Sequence, residues 1–359
     1  LLLFTLAVHA QNATVEYNVI ALLNQTTFKS MAVVVDNVSY ALESNATFPI
    51  IYSTTAPVAQ TGYQYVKLYS SNDSSLAESF TRLPTTVNTP HEFFNRSWNT
   101  HDNYQLPQVY PMLSTVNKIQ SDLHKDNQIP TIHLIGNQTE LDEMNTNSTA
   151  DITVKVNMTY ISLTDALQFE KVKVKVSGHS TRNKDKISYK LKLKKKHTLY
   201  GYRTVKLRAM AMDSSYVREQ LAYDVIKSAG LISTGTSYVR VFMNEQELGL
   251  FGLIEHFQNP WLANTFANGS SSYENGYLYG GVFQGSSNQS LTSDLSYYNN
   301  VTLYADGEYK MRQKASGGSK TDFEPLQNFT KFIDEAPTNS TDAVNIWKSS
   351  LDTDSFLRS

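Results

Sequence analysis

Phe169-Glu170-Lys171-Val172-Lys173-Val174-Lys175-Val176 alternates charged and branched apolar side chains, and Lys186-Ile187-Ser188-Tyr189-Lys190-Leu191-Lys192-Leu193 repeats the pattern after a polar loop. A period of two is the signature of a strand with one wet and one buried face. Phe169, Lys171, Lys173 and Lys175 then share one face, and Val172, Val174 and Val176 the other. Arg203 to Met210 reads as a further strand. These runs place a sheet with a basic face in the middle of the chain. Between Lys171 and Gln220 stand 15 basic residues against 3 acidic ones, in a chain of 359 residues with net charge −2. Charge gathered this way attracts polyanions: a nucleotide triphosphate, nucleic acid, anionic lipid or an acidic partner.

Outward from that block, residues 14–83 carry the strand-like runs Val15 to Ile20, Met31 to Val35, Phe48 to Tyr52 and Tyr63 to Tyr69. Their spacing between Asn, Asp and Ser turns predicts a small β-sandwich over 11–85, Ig-like or carbohydrate-binding-like. Pro84, Pro90, Pro107, Pro111 and Pro130 mark 86–128 as a linker, where Phe93, Phe94 and Trp98 are expected to pack on a neighbour. A second domain, 129–359, opens with strands at Thr131 to Ile135 and Ile152 to Val156. Asp213-Ser214-Ser215 and Gly230 bracket a helix on which Val217, Leu221, Ala222, Val225, Ile226 and Ala229 form one apolar face. Arg218 projects from the middle of that face and Glu219 from its edge. A buried Arg218 would need a carboxylate or phosphate. Ser237 to Phe257 predicts a hairpin turning at Asn244-Glu245. Glu274 to Gly285 and Asn300 to Gln313 read as strands, Phe323 to Glu335 and Thr341 to Leu351 as helices, and Asp354 to Leu357 as the start of another. The fold class is α+β.

Leu1 to Ala10 reads as the end of a signal peptide, with small residues Val8 and Ala10 before the cleavage point. Asn-x-Ser/Thr sequons agree with export, among them Asn24, Asn37, Asn45, Asn72, Asn137, Asn157, Asn268 and Asn300. None falls between Asn157 and Asn268, the gap that holds the basic block. The expectation is a secreted protein, which argues against nucleic acid as the polyanion. After residue 10 no stretch approaches the ~18 apolar residues of a membrane helix. There is no cysteine, which excludes thiolate nucleophiles, zinc–thiolate sites and redox chemistry.

Several motif matches fail. Gly317-Gly318-Ser319-Lys320-Thr321 has Ser319 where a Walker phosphate loop needs glycine. Gly178-His179-Ser180-Thr181-Arg182 ends in Arg182 rather than the last glycine of a nucleophile elbow. Glu255-His256 lacks the second histidine of a zinc protease. Asp352-Thr353-Asp354 stands where a helix N-cap belongs.

The order of elements says more: strand, basic loop, strand with Lys190, strand, helix with Glu219, then a hairpin ending near Glu255. That is the order of a protein-kinase N-lobe, in which a strand lysine holds phosphates and a helix acid holds the lysine.

Gly178 to Arg182 with Lys186 to Leu193, the helix Val217-Arg218-Glu219-Gln220-Leu221-Ala222-Tyr223-Asp224, and the hairpin Phe242 to Glu255 together resemble the motifs of the spore coat protein H (CotH) family. The likeness covers roughly 130–260 and is strongest to cell-surface members from mucoralean fungi. One departure is Glu245-Gln246, where the family often has Gly-Glu. The resemblance implies an atypical protein-kinase fold, with a β-rich N-lobe bearing one helix and a partial helical C-lobe. It implies ATP and Mg as cofactors, with Lys190, Arg218, Glu219, Arg182, Glu255 and His256 at the cofactor site. Bacterial members phosphorylate coat proteins. Fungal members are invasins that bind a host-cell receptor, here through Gly178, His179, Arg182, Lys184, Lys186 and Tyr189. The family's catalytic and metal-binding aspartates belong to segments beyond a helix like Asp354 to Ser359, so this stretch alone is expected to be catalytically inert. A lipid anchor, if there is one, is expected further along still.

Overall fold

A computed structural model describes residues 13–178, 182–281 and 291–359. The expected signal segment 1–10, and His179, lie outside the described residues. In chain order the elements are β1 (Thr14–Ile20), β2 (Phe28–Val35), β3 (Val38–Ser44), β4 (Ile51–Pro57), β5 (Tyr63–Tyr69), β6 (Ser75–Ala77), β7 (Glu92–Phe93), β8 (Thr131–Ile135), α1 (Gln138–Thr146), β9 (Val154–Ile161), β10 (Ala166–Ser177), β11 (Ser188–Lys192), β12 (Thr204–Arg208), α2 (Arg218–Ser228), β13 (Thr236–Met243), β14 (Gln246–Glu255), α3 (Trp261–Phe266), β15 (Leu278–Gly281), α4 (Thr302–Asp306), β16 (Tyr309–Gln313), α5 (Glu324–Glu335), α6 (Ala343–Ser350) and α7 (Thr353–Arg358). The class is α+β, rich in sheet. Two compact units interleave along the chain. One comprises Leu1–Asn103, Lys125–Tyr189 and Ser237–Gly252, the other Tyr104–His124, Lys190–Thr236 and Leu253–Ser359.

The first unit opens with a seven-stranded sheet in the order β6-β5-β2-β3-β4-β1-β7. β3 turns the corner: Val38 to Leu42 pair with β2, and only Glu43 and Ser44 pair with β4. Strict alternation sends Val15, Tyr17 and Val19 of β1 inward, where they share one core with Met31, Val33 and Tyr65. Beside that core lies a buried ionic cluster. Arg82 bridges Glu78 at 2.7 Å and Glu92 at 3.0 Å, and all three side chains are at most 5% exposed. Each of the four carboxylate oxygens accepts two hydrogen bonds, from Arg82, Tyr63, Tyr65, Asn99 and the amides of Tyr65 and Asn95.

A second sheet of this unit has β8 parallel to β13 and antiparallel to β9, with β10 antiparallel to β9 on its other side. Ile20, Ile50, Ile51 and Phe93 pack with Ile161 and Phe242 in one cluster, so the N-terminal sheet and the second sheet share a core. Phe93 is buried and stacks on Phe242 with ring centres 6.2 Å apart, which meets the packing expected of it.

The lysine strand needs one correction. Val172, Val174 and Val176 are buried and Lys171 and Lys173 exposed, as the alternation requires. A bulge between Phe169 and Val172, with Lys171 at φ +52°, inserts one extra residue. Phe169 pairs with Met158 and Val172 with Val156, so Phe169 falls on the valine face, not the lysine face. The signal missed was a positive φ at a lysine, which periodicity does not report.

In the second unit, β15 and β16 pair antiparallel and a core of Tyr304, Tyr309, Phe323 and Leu326 supports them. Asn300 to Gln313, read as one strand, divides into α4 and β16. The helices at Phe323 to Glu335 and Thr341 to Leu351 form as α5 and α6. Asp352 caps α7 by accepting from the Ser355 amide at 3.0 Å, which is the capping role its position predicts.

Helix α2 departs most from its sequence reading. None of its residues is buried. Val217, Leu221 and Val225 are about half exposed. Arg218, expected at the centre of a buried face, is 79% exposed and 3.8 Å from Asp213. The helix is held at its ends instead. Asp213 accepts from the Arg218 amide at 2.8 Å, and the Ser228 carbonyl accepts from the amides of Val109 and Tyr110. Among the described residues no helix is long and apolar enough to cross a membrane.

Candidate functional site

In the second unit the alternation of β11 and β12 sorts their side chains. Leu191, Val205 and Leu207 are buried, which leaves Lys190 and Lys192 on one strand and Lys206 and Arg208 on the next, all partly exposed. Close cations raise one another's energy and lower one another's proton affinity. Burial, then Arg208, Arg312 and Lys190, pull the Lys206 amine down to about 8. Burial, then Lys190, Lys206, Arg312 and Lys192, hold His256 down at about 4. His256 is therefore neutral at pH 7 and Lys206 mostly charged. The carboxylate of Glu219 is engaged by Arg208 at 3.0 Å and accepts from the Tyr223 hydroxyl at 3.3 Å.

The cationic face continues into a cleft of about 650 Å³ lined by Lys192, Arg203, Arg312, Lys314 and Lys320. Its floor includes Ala315 to Gly317, the start of the loop rejected as a Walker motif; Lys314 donates to the Gly318 carbonyl at 2.7 Å. Five cations and no carboxylate line this cleft. Buried His256 Nδ1 has no hydrogen-bond partner among the described residues. Phosphate oxygens supply the negative charge that this lining does not, so the residues fit the phosphates of a nucleotide. No group of three His, Asp or Glu able to hold a metal ion occurs among the described residues, and no residue here is assigned to magnesium.

Not every expected site residue belongs to this cluster. Glu255 is buried at the end of β14. Its Oε2 accepts from Trp261 Nε1 at 3.0 Å, and Oε1 lies 3.2 Å from the Lys118 amine. Its oxygens tie the 113–124 segment to the hairpin's end. Lys206, Arg208 and Arg312 were not singled out. A period of two along Thr204 to Arg208 pairs Lys206 with Arg208, but nothing local links either to Arg312.

The loop after β10 belongs to the first unit. Gly178 sits at φ +103°, a conformation that suits glycine. Arg182 donates to the carbonyls of Gly178 at 2.8 Å and Ser148 at 2.6 Å. The Lys186 amine donates to the Leu250 carbonyl and lies 4.4 Å from the Phe251 ring centre. Tyr189 is buried and its hydroxyl donates to Asn145. Lys184 stays exposed. Of the expected receptor-binding cations, Arg182 and Lys186 donate to backbone carbonyls and Lys184 is exposed.

Comparison with known proteins then becomes informative. The family model for CotH, described as CotH kinase protein, matches residues 174–358, the span that carries this cationic face. The chain belongs to the CotH family. Among characterised CotH proteins, Invasin CotH3 of Rhizopus delemar is 27% identical over 279 residues, 75% of this chain and 44% of that protein. Invasin CotH2 of the same fungus is 26% identical over 78% of this chain and 46% of its own length. Spore coat protein homolog 1 is 26% identical over 57% of this chain and 34% of its own. The chain spans less than half the length of these CotH relatives. The sequons at Asn24, Asn37, Asn45, Asn72, Asn137, Asn157, Asn268 and Asn300 are exposed.

Proposed function

We propose that this chain is part of a CotH-type surface protein that binds the phosphates of ATP on its cationic face. The observation that carries the reading is the gathering of Lys190, Lys192, Lys206 and Arg312 around a neutral His256. A kinase-like fold, with β11, β12 and α2 in the phosphate-binding lobe, is the architecture that would make use of it. Lys190, Lys206 and Arg312 hold phosphate oxygens, and Glu219 orients Arg208. ATP supplies a transferable phosphoryl group. The full-length form passes it to Ser or Thr of surface or coat proteins. The test is ATP binding by calorimetry with this chain, comparing wild type with a K190A/K206A double variant. Binding weakened at least tenfold in the variant is expected; no binding by the wild type overturns the reading.

A second reading is adhesion to a host-cell receptor. It rests on exposed Lys184 between Arg182 and Lys186, whose side chains bond backbone carbonyls, and on relatives named invasins. Here K184A removes the contact and leaves the loop intact. Undiminished binding of the variant to host cells would overturn this second role.

A further inference from the structure

From the first unit we infer a second anion site, unrelated to the cationic face: a pocket that takes an acidic sugar residue of a polysaccharide. The pocket, about 550 Å³, lies where Phe93, Phe94 and Trp98 meet Lys67, Arg96 and Arg240. Its three cations are unusually placed. Arg96 lies 5.3 Å from the Phe93 ring centre and 5.0 Å from that of Trp98; Arg240 lies 4.3 Å from Phe93, and Lys67 4.7 Å from Phe94. Cation–π contacts of this kind hold a side chain in one orientation without neutralising it.

Their hydrogen-bonding capacity is only partly used. Arg96 donates to the Ile129 carbonyl at 3.1 Å and Lys67 to the Leu22 carbonyl at 3.1 Å. Arg240 pairs with Glu247, the one carboxylate lining the pocket, and that side chain is half exposed. The Nε atoms of both Arg96 and Arg240 are buried and have no hydrogen-bond partner among the described residues. Burial and the nearby charges of Arg240 and Arg82 also lower Arg96 to about 10. Three cations against one acid, with two buried donors unused, is an arrangement that an oxyanion completes.

The walls decide what carries that oxyanion. Leu22, Phe94, Ile129 and Leu250 make one side apolar, and the volume falls within the ~300–1,000 Å³ of small-molecule sites. A bare inorganic ion would leave that side uncovered. A peptide that binds by strand addition needs a free sheet edge, and the edge strand here, β7, is two residues long. A pyranose bearing a carboxylate or sulfate presents both an anionic group and an apolar C–H face.

The experiment is calorimetric titration of this chain, produced without N-glycans because Asn95 on the pocket rim carries a sequon. The probes are an oligogalacturonate, a heparin-derived sulfated oligosaccharide, a neutral oligosaccharide of equal length and an oligoglutamate. At least one acidic oligosaccharide binds, ten times or more tightly than the neutral one, and which of the two does so separates carboxylate from sulfate. R240K and R96K keep the charge, lose the planar fork, and weaken binding at least tenfold. L250W fills the pocket and weakens it likewise. The thermal midpoint of each variant without ligand shows whether it has folded. Equal binding of acidic and neutral sugars, tighter binding of oligoglutamate, or folded variants that bind as wild type would each overturn the proposal. K190A/K206A leaves sugar binding unchanged, so failure here is distinct from failure of the nucleotide reading.

Discussion

Arg82 and Lys206 are both shielded cations, and they sit in opposite kinds of company. Around Arg82 every carboxylate oxygen of Glu78 and Glu92 is doubly hydrogen-bonded, and the guanidinium's burial is offset by its acidic partners. Around Lys206 the neighbours are Arg208, Arg312 and Lys190, with Glu219 the one opposing charge. A buried charge with its counter-charge built in belongs to the fold. A partly buried cation outnumbered by its own kind is a place for something else. The first kind is lost at high cost; the second destabilises the empty protein and is repaid by a ligand.

Four measurements break or sharpen that contrast. The largest effect is expected from R82A, which strands two buried carboxylates: breaking such a pair costs ~3–5 kcal/mol. The urea midpoint should fall sharply, and a variant as stable as wild type would erase the distinction. K206A should do the reverse. Its stability is unchanged or raised, while ATP binding weakens about tenfold or more, as for a lost charge-assisted contact.

Third, pH separates the two regions. Lys206 holds its proton less tightly folded, at about 8, than unfolded, at about 10.4. Between those values the unfolded chain carries more protons, so stability rises with pH through this window and phosphate binding declines. His256, at about 4 folded and about 6.5 unfolded, contributes stability that is complete above pH ~6.5 and is lost as pH falls toward 4. H256Q should abolish that acid-side loss, seen as a flatter stability profile from pH 6.5 to 4. The smallest effect is in the loop. R182A loses two hydrogen bonds and about 1–2 kcal/mol, whereas K184A leaves the melting temperature where it was.

The strands were legible because alternation reports burial directly. Val172, Val174 and Leu191 are buried where a period of two puts them. The bulge at Lys171 was not, because a single positive φ leaves no trace in hydropathy. Lys190 and His256 were marked as site residues, and the structure sets them among the same cations. Arg312 was invisible, since its approach depends on β16 rather than on any neighbour in sequence. Arg218 misled for a physical reason. A wide apolar face predicts a buried helix only if something covers it, and the face of α2 stays about half exposed.

That exposed helix has a kinetic consequence. α2 buries no side chain, and its described anchors are polar: Arg208 on Glu219 near its start and the 107–111 segment on its last carbonyls. Held this way, it opens by itself well below the free energy of global unfolding, and its amides exchange with solvent ahead of those in β12. Salt screens the ion pair and quickens the exchange. The acid beside the lysines of the cationic face thus rides on a weakly protected element, and ionic strength becomes a dial on how firmly Arg208 is held.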